Sequence, residues 1–215
     1  MWSFLSIRTG LIAALIMMMS VPVLAQQGTA PNDEDAIRDM LEQRDAEIKS
    51  ILDGDRADFT DEQRNELMTL INGVIDFRAM GQHALGPFWE DLSEEQRDEF
   101  VDVFRDVVRL QSMADLEVYN SEVSYEHIDV EGDSAFVRTI TRYQGTQTPV
   151  DYVLARQGDT WLAQDIIVDE VSTAEGYARS FQRVMRRRGF DSLMNSLEQR
   201  RERAQQESQE QSASQ

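Results

Sequence analysis

Side chains able to do chemistry are scattered along this chain. The two histidines, His83 and His127, fall in different predicted elements and share no metal-ligand spacing. His127 lies in a polar stretch of strand and reads as a surface residue. The sequence carries no glycine-rich phosphate loop, nucleophile elbow or HExxH pair. It has no cysteine, which removes disulfides, thiolate metal sites and nucleophilic thiols together. Asp165 is the exception, an acid inside an otherwise apolar strand. By alternation it shares a face with Trp161, Ala163 and Ile167. Such an acid reads in two ways. It could serve as a base with a raised pKa, helped by a hydroxyl such as that of Tyr152 or Tyr177. Buried carboxylates more commonly accept hydrogen bonds that pin a neighbouring loop or helix, and that reading is preferred.

The elements that would position these groups follow from periodicity. Helical spacing covers Asp33 to Leu52. Thr60 with Gln63, and Ser93 with Gln96, each form a capping box that opens a helix, the second running towards Tyr119. Between them a shorter helix covers Phe77 to Leu85 and stops at Gly86-Pro87. The period then falls to two. Strands are predicted over Val123–Val130, Ala135–Tyr143, Pro149–Arg156 and Trp161–Val168, joined by short glycine-bearing turns. Helical spacing returns from Val171 through Met185 and from Phe190 to about Arg203. Residues 204–215 are mostly Gln, Ser, Glu and Ala, and are predicted to be disordered. Helices, a four-stranded antiparallel meander, then helices make an α+β fold, with helices packed on one sheet face.

Before residue 33 the pattern is one of export. A single charge at Arg8, an apolar run from Leu11 to Ser20, Pro22 and the small-residue end at Ala25 make a secretory signal over 1–25, cut after Ala25. Residues 26–32 form a loose leader, and 33–203 the domain. Without cysteine no lipid anchor can be attached after the cut. The formal net charge of −19 disfavours nucleic acid and anionic lipid surfaces as resting partners. Residues 179–203 go against this balance, with eight arginines against Asp191, Glu198 and Glu202. Arg183, Arg186, Arg187 and Arg188 are candidates for a partner or an anionic headgroup. Equally, arginines at a helix C-terminus simply favour its dipole.

Apolar residues flank the sheet in number, and spacing alone does not separate core from cavity lining. Two blocks stand out in their arrangement. The first is Phe77-Arg78-Ala79-Met80, Ala84 to Trp89, Leu92-Ser93, Gln96-Arg97, Phe100 and Phe104. The second is Pro149 to Tyr152, Trp161, Asp165, Val171-Ser172, Tyr177, Phe181, Gly189-Phe190-Asp191 and Leu193. Together they resemble the MlaC family of periplasmic phospholipid-binding proteins, also called toluene-tolerance auxiliary components. Ser112, Thr173 and Arg179 depart from the pattern: a tyrosine and a leucine are usual at the first two, and the arginine sits one place late.

The resemblance implies a nuclear transport factor 2-like fold with acyl chains between sheet and helices and the headgroup near solvent. The lining it implies comprises Phe77, Met80, Phe88, Trp89, Phe100, Phe104, Val108, Val150, Tyr152, Leu154, Trp161, Ile167, Tyr177 and Phe181. It implies a periplasmic carrier, without catalysis, cofactor or metal, that serves outer-membrane lipid asymmetry. Phospholipid would pass between an outer-membrane lipoprotein complex and an inner-membrane ABC transporter bearing an MCE-domain protein, each met only transiently. Two other readings stay open on the residues: an isomerase-like enzyme using Asp165, and an adaptor whose sheet cavity is filled by its own side chains.

Overall fold

The computed structural model describes residues 32–53, 59–114 and 116–213, and these fall within one compact unit. The expected signal peptide lies outside the described residues, as does the leader up to residue 31. Asn32, expected as the end of that leader, instead caps the first helix by accepting from the Asp35 amide at 2.8 Å. Helix α1 spans Asp33–Leu52, α2 Asp61–Asn72, α3 Phe77–Leu85 and α4 Glu94–Ser112. Both expected capping boxes are present, at Thr60/Gln63 and Ser93/Gln96. Helix α4 ends short of Tyr119. Its last carbonyls are taken by three-residue bonds, Met113 N to Leu110 O and Ala114 N to Gln111 O, which tighten and close the final turn. The Ser112 hydroxyl also bonds back to Arg109 O and accepts from Asn72, tying the end of α4 to α2. A separate 3₁₀ turn covers Leu116–Asn120.

The sheet has five strands in sequential antiparallel order: β1 Glu122–Glu131, β2 Ser134–Tyr143, β3 Thr146–Gln157, β4 Thr160–Val168 and β5 Val171–Ser172. The fifth was not expected, because its two residues read as the start of the next helix. They pair with Ile167 and Val168 across a two-residue turn, Asp169–Glu170, in which both residues adopt positive φ. Helix α5 follows at Thr173–Arg188 and α6 at Phe190–Ala213. Helix α6 thus continues ten residues beyond Arg203, where disorder was expected. The segment is rich in Gln, Glu and Ala and free of Gly and Pro, so propensity does not oppose the helix.

One face of the sheet carries Ile128, Ala135, Val137, Leu154, Trp161 and Ala163, and packs against Ile37 and Leu41 of α1. A second core joins α3, α4, α5 and α6 around Phe100 and Phe104. A third, built on Ile48, Leu52, Phe59 and Leu67, closes the far end of α1 on α2. Strand β4 is stitched to the chain entering α3: Ala163 N donates to Val74 O at 2.6 Å and Asp76 N to Ala163 O at 2.9 Å. Asp76 then caps α3 through Ala79 N, and Gln157 donates to its other oxygen. That short stretch fixes the helical core against the edge of the sheet.

Candidate functional site

Strand β3 provides the first part of the site. Val150, Tyr152 and Leu154 share a face, opposite Val168, Ile166 and Ala163 of β4. Leu154 is 1% exposed and belongs to the α1–sheet core. Tyr152 and Ile166 are only partly buried at the border of that core. Burial pushes the Tyr152 phenol up to about 12, with Tyr119 and Asp45 adding to the effect. Burial raises the neighbouring Tyr125 phenol as well. On the reverse face Asp151 is buried and takes both ends of the Arg138 guanidinium, at 3.4 and 3.3 Å.

A β-bulge corrects the expected alternation along β4. Val153 pairs with Asp165 while the next residue, Leu154, pairs with Ala163, leaving Gln164 unpaired. The extra residue turns everything after it to the other face. Asp165 and Ile167 therefore lie opposite Trp161 and Ala163, not beside them. Asp165 accepts from the Ser172 hydroxyl at 2.6 Å and from the Ala174 amide at 2.9 Å. Both of its oxygens are engaged in holding the first turn of α5, the anchoring role that burial rules favour. The bulge also separates it from Tyr152, so that acid and that hydroxyl lie on opposite faces of the sheet.

The helical core gathers most of the other predicted residues. Phe100 and Phe104 stack at 5.7 Å, and Phe77, Tyr177 and Phe181 meet them edge-on at centroid distances of 4.9 to 6.2 Å. Gly81 admits this packing, since a Cβ there would stand 3.0 Å from the Phe100 ring. Met80 and Trp89 are buried in the same cluster, with Val108 and Tyr177 partly buried at its border. The guanidinia of Arg78 and Arg97 both approach the Trp89 ring, at 5.6 and 5.4 Å from its centre. Arg97 Nε also donates to Trp89 O at 3.0 Å. The Gly86 to Trp89 motif thus builds a clamped 3₁₀ turn, on which Phe88 is half-buried.

The expected lining residues accordingly divide between two packed cores. Phe77, Met80, Trp89, Phe100, Phe104 and Phe181 belong to the helical core, with Val108 and Tyr177 at its edge; Leu154 and Trp161 belong to the sheet core, with Tyr152 at its edge. Val150 and Phe88 are half-buried, and Ile167 is on the reverse face. Arg183, Arg186, Arg187 and Arg188 are exposed along α5 and make no ion pair among the described residues.

Two concavities open beside α5. One, of 250 Å³, is lined by Ala79, Val153, Gln164 and Asp165, with His83 Nε2 2.9 Å from Glu175 Oε1 at its rim. The other, of 410 Å³, lies among β4, β5, α5 and α6, and of the lipid lining expected from sequence it takes Tyr177 alone. The exposed valines and the glycine near the start of α5 that line it are signals that periodicity does not weigh.

Fold and site define an α+β protein with helices against an antiparallel sheet, apolar interiors and an open groove beside the sheet edge. The MlaC protein profile matches residues 42–199, and the chain belongs to the MlaC family. Over 143 residues it is 24% identical to the intermembrane phospholipid transport system binding protein MlaC of Haemophilus influenzae, a match spanning 63% of this chain and 65% of that one. Its fold is shared with the phospholipid-binding protein of Ralstonia solanacearum, solved in complex with a phospholipid. That likeness has a TM-score of 0.65 at 20% identity and covers 80% of this chain and 97% of the other. No described helix is long and apolar enough to cross a membrane.

Proposed function

We propose that this chain is a non-enzymatic phospholipid carrier exported to the periplasm. It would move lipid between an outer-membrane lipoprotein complex and an inner-membrane ABC transporter bearing an MCE-domain protein. The observation that carries this reading is membership of the MlaC family across residues 42–199, in a fold shared with a phospholipid-bound protein. The commitment of Asp165 to α5 supports the absence of catalysis.

A lipid tail in water costs about 0.8 kcal/mol per CH₂. A carrier must therefore enclose it, and its cores must part to admit it. The partly buried residues are those free to part: Val108 and Tyr177 at the edge of the helical core, Tyr152 and Ile166 at the edge of the sheet core. Acyl chains would run between these edges and along Val150. Leu154, Trp161, Phe100 and Phe104 keep a structural role. The acidic body keeps the carrier off anionic membranes between encounters.

Extraction of protein purified from the cell envelope, with mass spectrometry of the extract, tests this reading. Near-stoichiometric phospholipid on a chain beginning at Gln26 is the expected result. Protein that is lipid-free from every membrane source would overturn it.

A further inference from the structure

The 410 Å³ groove has a built character that the family reading does not account for. Val168 and Val171, 42% and 61% exposed, wall it and are among the few large apolar residues left open on the described surface. Tyr177 closes its inner end, with its ring 4.9 Å from Phe104 of the helical core. The floor is Gly176, in the first half of α5. A helical glycine weakens a helix relative to alanine. Here neither usual reason for it applies: its φ is not positive, and a Cβ would meet nothing within 4 Å. Its effect is to leave the floor open. Arg200 of α6 supplies the one cation of the lining and makes no ion pair among the described residues, whereas its neighbour Arg201 pairs with Asp106 at 3.6 Å.

We propose that this groove seats the phosphate-bearing headgroup of the carried lipid, with Arg200 on the phosphate, Val168 and Val171 on the first methylenes, and Gly176 leaving the room. The proposal rests on the carrier reading. It places the headgroup contact at Arg200, not at Arg183 or Arg186 to Arg188. A phosphate anion is the chemistry that matches Arg200; a lipid brings it as an ester with apolar chains, and inorganic phosphate brings it without them. The apolar walls, and the tyrosine leading to the core, select the lipid.

The test loads mature protein, stripped of lipid, from vesicles of phosphatidylethanolamine and phosphatidylglycerol, and counts bound lipid by native mass spectrometry. Arg200→Glu should lower the apparent affinity roughly tenfold, the loss of one charge-assisted contact. Arg200→Lys should recover part of it, and Arg183→Glu should match wild type. Gly176→Leu fills the floor. It should lower loading by a similar factor while its Tm stays at or above that of wild type, a pairing that general damage to the fold cannot produce. Wild-type loading by both Arg200→Glu and Gly176→Leu would overturn the proposal and leave the carrier intact. Arg200-dependent binding of inorganic phosphate with lipid loading unchanged would also overturn it, making the groove a free-anion site. Wild-type protein that takes no lipid would overturn the carrier reading itself.

Discussion

Replacing Leu154 with alanine distinguishes a core residue from a cavity wall on the same strand. Leu154 is 1% exposed and packs with Val137, Trp161, Ala163 and Ile37 in the sheet core. The substitution removes three carbons, worth about 2.4 kcal/mol at about 0.8 kcal/mol each. The hole they leave adds a further term, because β3 is held on both sides by β2 and β4 and cannot collapse inward. A loss of about 3 kcal/mol follows. For a domain of this length each kcal/mol lowers Tm by about 2–4 °C, so a fall of about 6–12 °C is expected. The measurement belongs on lipid-stripped protein, since bound ligand would add its own stabilisation. The folded fraction of Leu154→Ala should still load lipid normally. Val150→Trp, which adds bulk at a half-buried position on the same face, should do the reverse, lowering loading with little loss of Tm. Leu154→Ala protein that keeps its Tm within about 2 °C and loses its lipid would refute the division of β3 into a packed half and a lining half.

Asp165→Ala should cost about 2–3 kcal/mol by freeing the start of α5, with Asp165→Asn milder, and a stability scan of the two against wild type checks it. Tyr152 ionises at about 12 in the folded protein, against about 10 unfolded, so its contribution is full below pH 10 and fades as pH rises through 12. Tyr152→Phe should flatten that part of an alkaline unfolding series, and phenolate absorbance should show one late-titrating group fewer, with that of Tyr125 kept. Reversing Arg186, Arg187 and Arg188 to Glu should weaken docking to the proposed inner-membrane complex and reduce its salt dependence. Because these side chains are exposed in the last turn of α5, the fold should survive with a small loss from the helix dipole. Unchanged docking would leave these arginines as helix-end charges alone.

Local signals were legible wherever the deciding contacts lie within a few residues. Thr60 and Ser93 marked their helix starts because a capping box closes over three residues. The four long strands showed because each has one face against the core, which imposes the alternation of two. Asp165 stood out for the same reason, and its anchoring of α5 bridges only seven to nine residues. The family blocks were readable too, since they combine turn chemistry with aromatic spacing. What failed was whatever depends on partners distant in sequence. The bulge at Gln164 is set by how β4 must reach both Val74–Asp76 and β5, and one unpaired residue there moved Ile167 off the expected face. Strand β5 exists only because β4 offers it a free edge; alone, Val171 and Ser172 look like the approach to a helix. Aromatics that seemed to form one lining were divided between two cores by the crossing of α1 and the docking of α3 to α6. The groove is the extreme case. Val168, Gly176 and Arg200 carry no shared period, and only the packing of α5 and α6 beside the end of β4 brings a valine, a missing side chain and a charge to one place.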